Sequence, residues 1–483
     1  MISTLVDLVR LAVPNVFSFL IMYLGSVVTV GVVSALNDPV ALGAVGLGSL
    51  VVNVFGFAVA CGLTSVLDTL VSQSVGNKAE GVRYLHKARL VVLVVFLPSV
   101  AILSRTSAML TLCGQDELTG SLAQEYVNIS VLGMLPSFDF FALSSYLRAS
   151  WNPTPAAVVN TASALVHSLA SVVLVLHFRL DVRGPATATA LTGWLRFLLL
   201  EGFDWRSEAS LRGFVKWCKH EFSSVGNFRV LISEMRSFLH LAIPSFALQF
   251  CEWVAYELQA LIAGLVGVPS LAANVVASNV VTIAFMIPVG ISHAASTVVG
   301  SALGTGEPDK AKKAAGLSAG FVFIVTLTLS YYIISCKTAI INLYTSESAV
   351  VEALDQAFTV VAAFVVADGV QGVLEGVLRG LRMQREAVTW KLVAMIGIRL
   401  PLGYVLAVHS GLGVAGVWLG ACAGMAFSAV VYAFRVAQAD YTKAAVEAMK
   451  LTRTPLSVAS PLFMTAAAPI ELDDPTDFLI TSV

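Results

Sequence analysis

Between residues 251 and 257 the chain reads CEWVAYE, placing two carboxylates inside a run, 239–268, that carries no other charge unless His240 is protonated. Inserting a carboxylate at the centre of a membrane helix costs about 2.5 kcal/mol or more, so such a group by default faces a cavity and marks an ion path. Glu252 and Glu257 are five positions apart, which is about 140° around a helix. They cannot share one narrow face, but they can flank a cavity or serve different steps. Asp368, in VVADGVQG, has no Lys or Arg within ten residues on its own segment and is the natural partner. Proton or cation coupling is therefore expected at Glu252, Asp368 and Glu257. Trp253 and Tyr256 neighbour the glutamates, and Tyr23 lies in an earlier apolar run. Aromatic faces attract cations in a desolvated site, which suits a cationic substrate, and they also form interfacial belts. Arg399, in IGIRLPLGY, is expected to pair with an acid or line the cavity, and a lining role favours an anionic or zwitterionic substrate. Glu375, four residues before Arg379, is expected to form a structural i,i+4 pair.

These residues need a scaffold, and the composition says which kind. Charged residues are 12% of the chain, far below the level of a soluble globular protein, and mean hydropathy is +0.84. An all-α, multi-pass membrane protein follows, with the bilayer as its solvent. A hydrocarbon core needs about 20 apolar residues per helix. Twelve windows qualify: 11–36, 40–66, 90–112, 122–146, 156–178, 185–202, 237–264, 270–298, 314–334, 350–378, 387–408 and 414–437. Lysines and arginines crowd the odd side of these windows, including Lys391, with only Arg105, Arg179, Arg183 and Lys337 opposite. The positive-inside rule then puts both termini in the cytoplasm. The amino terminus runs straight into an apolar segment, and no removable signal peptide is expected. The membrane is that of the cell surface or of an internal, vacuolar or endosomal, compartment.

The chain also repeats itself. LAVP at 11–14 returns as LAIP at 241–244; GLTSVLDTLVSQSVG at 62–76 aligns with GISHAASTVVGSALG at 290–304; YLRAS at 146–150 aligns with VLRGL at 377–381; LDVRGPA at 180–186 aligns with LGVAGVW at 412–418. Each copy holds six helices, an even number, so the copies are related by a pseudo-twofold along the membrane normal. The expected organisation is an N-lobe over 1–202, a cytoplasmic linker over 203–236, a C-lobe over 237–437 and a disordered tail over 438–483. One lobe can rock against the other around a central site, as alternating access requires.

LAIPSFALQFCEWVAYE, DTLVSQSVG, the paired LAVP/LAIP starts, AASTVVGSALGTGEPDKAKKA and GVLRGLRMQ together resemble the multidrug and toxic compound extrusion family, specifically its eukaryotic branch, over roughly 8–437. The resemblance implies a V-shaped fold of twelve helices in two lobes and export of organic cations in exchange for protons or sodium. It makes Glu252 and Glu257 the two acids of the seventh helix, Asp368 the acid of the tenth, Asn53 the asparagine of the second helix and Asp68 the acid of DTLxxQxxG. The first segment lacks the acid that many prokaryotic members carry there, which moves the coupling site to the C-lobe.

Asp68 and Gln73 stand at a helix end, as caps or as part of a gate between lobes. Pro14 and Pro244 occupy equivalent places, either as hinges that break a backbone hydrogen bond or in a first turn, where they cost little. Asp139 is an added proton site or faces the cytoplasmic vestibule. The chain ends Thr-Ser-Val, a weak fit to a PDZ-type ligand. Six scattered cysteines, with no metal-ligand spacing, read as free thiols, and neither metal nor cofactor is expected. Near-zero net charge gives no sign of a nucleic-acid partner. No GxxxxGK[ST] occurs, and the seven histidines form no HExxH or Ser/His/Asp grouping, so neither an ATP-driven pump nor an enzyme is expected. The leading expectation is a monomeric secondary antiporter that exports organic cations or xenobiotics against protons. Sodium coupling, an anionic or zwitterionic metabolite, and a lipid-linked precursor are the alternatives.

Overall fold

The computed structural model describes residues 2–36 and 38–453. Twelve long helices carry the fold: α1 (Ile2–Ser34), α2 (Val40–Gln73), α3 (Lys78–Leu103), α4 (Glu117–Ala149), α5 (Thr154–His177), α6 (Arg183–Phe203), α7 (Val225–Val266), α8 (Val268–Gly304), α9 (Pro308–Ser335), α10 (Ser348–Gly380), α11 (Gln384–His409) and α12 (Gly413–Gln438). Eleven of them are long and apolar enough to cross a membrane. The remaining one, α6, has 21 residues and is interrupted by Arg196 and Glu201. No β-strand occurs among the described residues. An all-helical chain is what a bilayer demands, because each backbone group must find its partner inside its own segment.

Three boundaries differ from the sequence reading. The window 90–112 splits, with α3 ending at Leu103 and a short helix, Thr106–Leu112, following it. The linker is largely helical: Leu211–Glu221 forms an amphipathic helix, and α7 begins at Val225 rather than near 237. The tail is not irregular from 438, since Tyr441–Arg453 is helical and packs on α8 and α9 through Tyr441, Ala445 and Ala448. Its apolar positions recur every three to four residues, enough to bury one face. The Thr-Ser-Val end lies outside the described residues.

Each half has its own core, one around Val45, Tyr126 and Phe138 and one around Phe358, Phe364 and Trp418. Two further cores join the halves. Leu8 and Ala12 of α1 pack among α8, α9 and α10, while Phe238 and Ala242 of α7 pack among α2, α3 and α4. The two pairs are repeat equivalents, so the first helix of each half is buried in the other. The crossings obey the same symmetry. A Cβ on Gly290 would lie 2.6 Å from the Val16 amide nitrogen, and one on Gly62 would lie 2.8 Å from the Phe246 Cα. Only glycine lets backbones approach this closely. Both crossings fall two residues after a proline. Pro14 and Pro244 sit well inside α1 and α7, which removes the first-turn reading and leaves each helix with a broken backbone bond at the point where it crosses the other lobe.

Ser3 and Thr4 share a surface hollow with Gly306 and Lys310, and Met449 lies against Gly306, so both ends of the described chain are on one face, here called the terminal face. The contacts of α2 with the other half are concentrated in its second part, Ala58–Gln73, near that face.

Candidate functional site

Three helices of the C-lobe present one polar stripe each. On α7 the stripe is Glu252, Tyr256 and Gln259; on α10 it is Asp368, Gln371 and Glu375; on α11 it is Lys391 and Arg399. Spacings of three and four residues keep such groups on one helix face. Lys391 is the hub, its Nζ lying 2.6 Å from Glu252 Oε2 and 2.6 Å from Glu375 Oε2. Gln371 Nε2 donates to the same Glu375 oxygen at 3.0 Å. The Lys391 side chain is 1% exposed, against 12% for Glu252 and 11% for Glu375, so the lysine is enclosed and its acids border open space.

Arg399 is likewise buried, 1% exposed, further along α11 in a π-helical stretch, Val393–Arg399. Its Nε and Nη2 both donate to Gln259 Oε1, at 3.0 and 2.6 Å, and Gln259 Nε2 donates onward to Asn274 Oδ1 at 3.1 Å. The guanidinium lies over the Tyr256 ring, 4.1 Å from its centroid, and 5.8 Å from that of Phe364. Asp368 is 2% exposed, and its Oδ1 has no hydrogen-bond partner among the described residues. The charges that act on it belong to Glu252, Arg399, Lys391 and Glu375. Five ionisable side chains thus form one cluster of three acids and two bases.

A second polar assembly lies between the halves at the terminal face. Asp68 Oδ2 is 2.9 Å from His293 Nδ1, Thr69 Oγ1 donates to the Arg379 carbonyl at 2.8 Å, and Gln73 Nε2 donates to the Gly380 carbonyl at 2.9 Å. Gln384 Nε2 donates to Thr69 Oγ1 at 2.7 Å, and Trp151 Nε1 donates to Ser301 Oγ at 2.7 Å. Every bond runs from one half to the other, so Asp68 and Gln73 seal the halves together and do not serve as simple caps. The packing is equally close: a Cβ on Gly304 would lie 2.2 Å from the Gln73 carbonyl oxygen.

The matches to known proteins follow this geometry. The MatE family model covers residues 14–173 and 244–405, one stretch per repeat. The chain belongs to the MatE family. Multidrug and toxin extrusion protein 1 of Oryctolagus cuniculus is 29% identical over 456 residues, covering 94% of this chain and 78% of the relative. The Homo sapiens protein of that name is 30% identical over 429 residues, covering 87% and 73%. Among solved structures, the eukaryotic MATE transporter AtDTX14 superposes with a TM-score of 0.84 at 22% identity, over 93% of this chain and 99% of that one. This is a multi-pass membrane transporter with the two-lobe MatE fold and not an enzyme.

Within this MatE transporter several residues stand elsewhere than the sequence led us to expect. Glu375 does not pair with Arg379; it bonds Lys391 and Gln371, while Arg379 Nη2 donates to Ser292 Oγ at 2.9 Å. Lys391, counted among the flanking cations, is interior, because α11 begins at Gln384 and has made about two turns before reaching it. Among the described residues Arg399 has no acid within ion-pair distance; an amide dipole and an aromatic face hold it instead. Tyr256 therefore offers its ring to Arg399. Glu257 is exposed on another face of α7, apart from the cluster. Tyr23 donates to Asn279 Oδ1 at 2.9 Å, joining α1 to α8. Asn53 opens a π-helical stretch of α2, Asn53–Phe57, and Trp253 is half-buried. Among the described residues no group of three or more His, Cys, Asp or Glu could hold a metal ion.

The N-lobe has its own buried charges: Asp139 is singled out by the sequence, but its pairing with Arg89 beside Glu201 is not. Arg89 pairs through Nε with Asp139 Oδ1 at 2.8 Å, bonds Glu201 through Nη2, and donates to the Ala209 carbonyl at 2.6 Å. Glu201 Oε2 in turn accepts from the Leu211 amide at 2.7 Å. Asp139 is thus a structural counter-ion that helps moor the linker. The signal was present, since Arg89, Asp139 and Glu201 all stand inside apolar windows or at their edges. Removing one partner of a buried pair leaves uncompensated charge, so Arg89→Met is expected to cost about 3–5 kcal/mol. A melting midpoint in detergent that matches the unmutated protein's would count against this.

Proposed function

We propose that the protein is a secondary antiporter that exports small organic cations in exchange for protons, with Glu252 and Asp368 as the coupling acids. The observation that carries this reading is Asp368. It is buried mid-lobe, one oxygen has no partner, and Glu252 lies within its electrostatic reach. Such an acid can take up a proton without breaking an existing hydrogen bond. The relatives' name, multidrug and toxin extrusion, supports export of diverse small molecules.

The sealed terminal face is the cytoplasmic one in this proposal, in line with its lysines and arginines. The described state is then open outward. Protons arriving from outside neutralise the C-lobe acids and release the cation. The lobes rock about α1 and α7, whose prolines weaken the helices where they cross. Proton loss to the cytoplasm restores negative charge that draws in the next cation. Coupling follows because the same carboxylates cannot hold proton and cation together.

A second reading, transport of a zwitterion, has one observation behind it. Among the described residues Arg196 of α6 has no acid within ion-pair distance, and its guanidinium carbon lies 5.8 Å from the centroid of the Phe140 ring. An unpaired cation in a lobe interior is a partner for a carboxylate.

Liposomes holding the purified protein, loaded so that a proton gradient drives exchange, should accumulate ethidium, and Glu252→Gln should reduce the initial rate about tenfold or more. Uptake that ignores the proton gradient but follows a sodium gradient would replace the proton in this scheme, and uptake unaffected by Glu252→Gln would move the coupling site.

A further inference from the structure

Lys391 raises a question that proton coupling does not answer: why a site for cations contains one of its own. Its ammonium sits 2.6 Å from Glu252 and 2.6 Å from Glu375, with almost no exposure. We propose that Lys391 is a tethered competitor: it occupies Glu252 when the site is empty, and a substrate cation loads by displacing it onto Glu375. This rests on the reading of the C-lobe acids as the cation site.

Three features carry the inference. First, Glu252 and Glu375 border open space, 12% and 11% exposed, while Lys391 is enclosed between them at 1%, so a substrate meets an acid and not the lysine. Second, Glu375 gives the displaced ammonium a second seat. Without one, unseating Lys391 would leave a buried charge alone, which is prohibitive. Gln371 Nε2 fixes the receiving oxygen at 3.0 Å. Third, the charges match. Glu252, Asp368 and Glu375 face Lys391 and Arg399, and Arg399 is committed to Gln259 and Tyr256. With every acid ionised the cluster lacks one positive charge, so one monovalent cation, or one proton, balances it. Lys391 thus sets both the threshold for loading and the preferred substrate charge. A dication would overfill the site while Lys391 remains charged.

Ethidium and propidium share a ring system but carry one and two positive charges, which makes them suitable probes. Binding of each to the full-length protein in detergent would be followed by fluorescence for the unmutated protein, Lys391→Met, Glu375→Gln and the double variant. Lys391→Met should tighten ethidium binding about tenfold and tighten propidium binding more, because the acid cluster is no longer countered from within. Glu375→Gln should weaken ethidium binding about tenfold, since the displaced lysine has no seat, and adding Lys391→Met to it should restore binding. The tighter binding in Lys391→Met alone is a sign that a purely structural ion pair would not give. Ethidium affinity unchanged or weakened in Lys391→Met, or a double variant no better than Glu375→Gln, overturns the tethered competitor while leaving the cation site standing. Absence of ethidium binding in every variant overturns the cation site itself. Should Lys391→Met fail to fold, ethidium binding unaltered by Glu375→Gln alone still overturns the proposal.

Discussion

Asp368→Asn is expected to abolish proton-driven export, lowering the initial rate of ethidium uptake into energised liposomes by more than about tenfold, while the protein still purifies as a single species. The substitution keeps the volume and removes only the titration. Among the described residues Asp368 Oδ1 has no hydrogen-bond partner, so the substitution breaks no bond at that oxygen. The stability change should therefore be small, in contrast to Arg89→Met, where a buried pair is broken. The informative result is a split: facilitated ethidium exchange that persists without a gradient, together with loss of response to one. If the variant still concentrates ethidium as the unmutated protein does, Asp368 is not a coupling acid and Glu252 must act with another partner. A variant that merely fails to fold would contradict the geometric argument that the carboxylate oxygen is free.

Gly304→Val should have an effect of similar size through a different step. A Cβ at position 304 would lie 2.2 Å from the Gln73 carbonyl oxygen and 2.8 Å from its carbon, and both are backbone atoms that no rotamer can move. The lobes must separate at the terminal face to accommodate it. Overpacking of this kind costs about 1–3 kcal/mol, which shifts a two-state equilibrium by roughly fivefold to 150-fold. The transporter should accumulate in the state open at that face, and ethidium uptake should fall accordingly. Accessibility reports the same shift. With the natural cysteines replaced, a cysteine introduced for Thr69, now buried in the seal, should react much faster with a membrane-impermeant maleimide in Gly304→Val than in its glycine parent. Equal labelling rates would mean that the seal closes regardless, and that the glycine serves α8 alone.

Much of the architecture was legible because it depends on quantities that a linear sequence carries. Helix count follows from apolar window length, since the thickness of the bilayer is fixed. Even the doubtful sixth segment forms a full helix. The two-lobe symmetry was visible in the LAVP/LAIP and GLTS/GISH repeats, and the structure realises it residue for residue, with Leu8 and Ala12 buried as Phe238 and Ala242 are. Where the reading stopped short, the cause was local. The helix of residues 441–453 is only weakly apolar by itself and gains its place from the α8 and α9 surface beneath it.

The chemistry divides in the same way. That Glu252 and Asp368 lie in the interior was set by the sequence, because an acid in an apolar helix has few other places to go. Which cations meet them was decided only by the tertiary structure. Lys391 stands near a helix end in sequence, indistinguishable from a flanking lysine, and becomes the hub of the cluster because α11 packs beside α7 and α10 and carries it inward. Arg399 finds an amide and an aromatic ring in place of an acid for the same reason, since its neighbours come from segments more than a hundred residues away. Side-chain type fixes what a buried group needs, whereas its partner is whatever the packing of distant helices brings within reach.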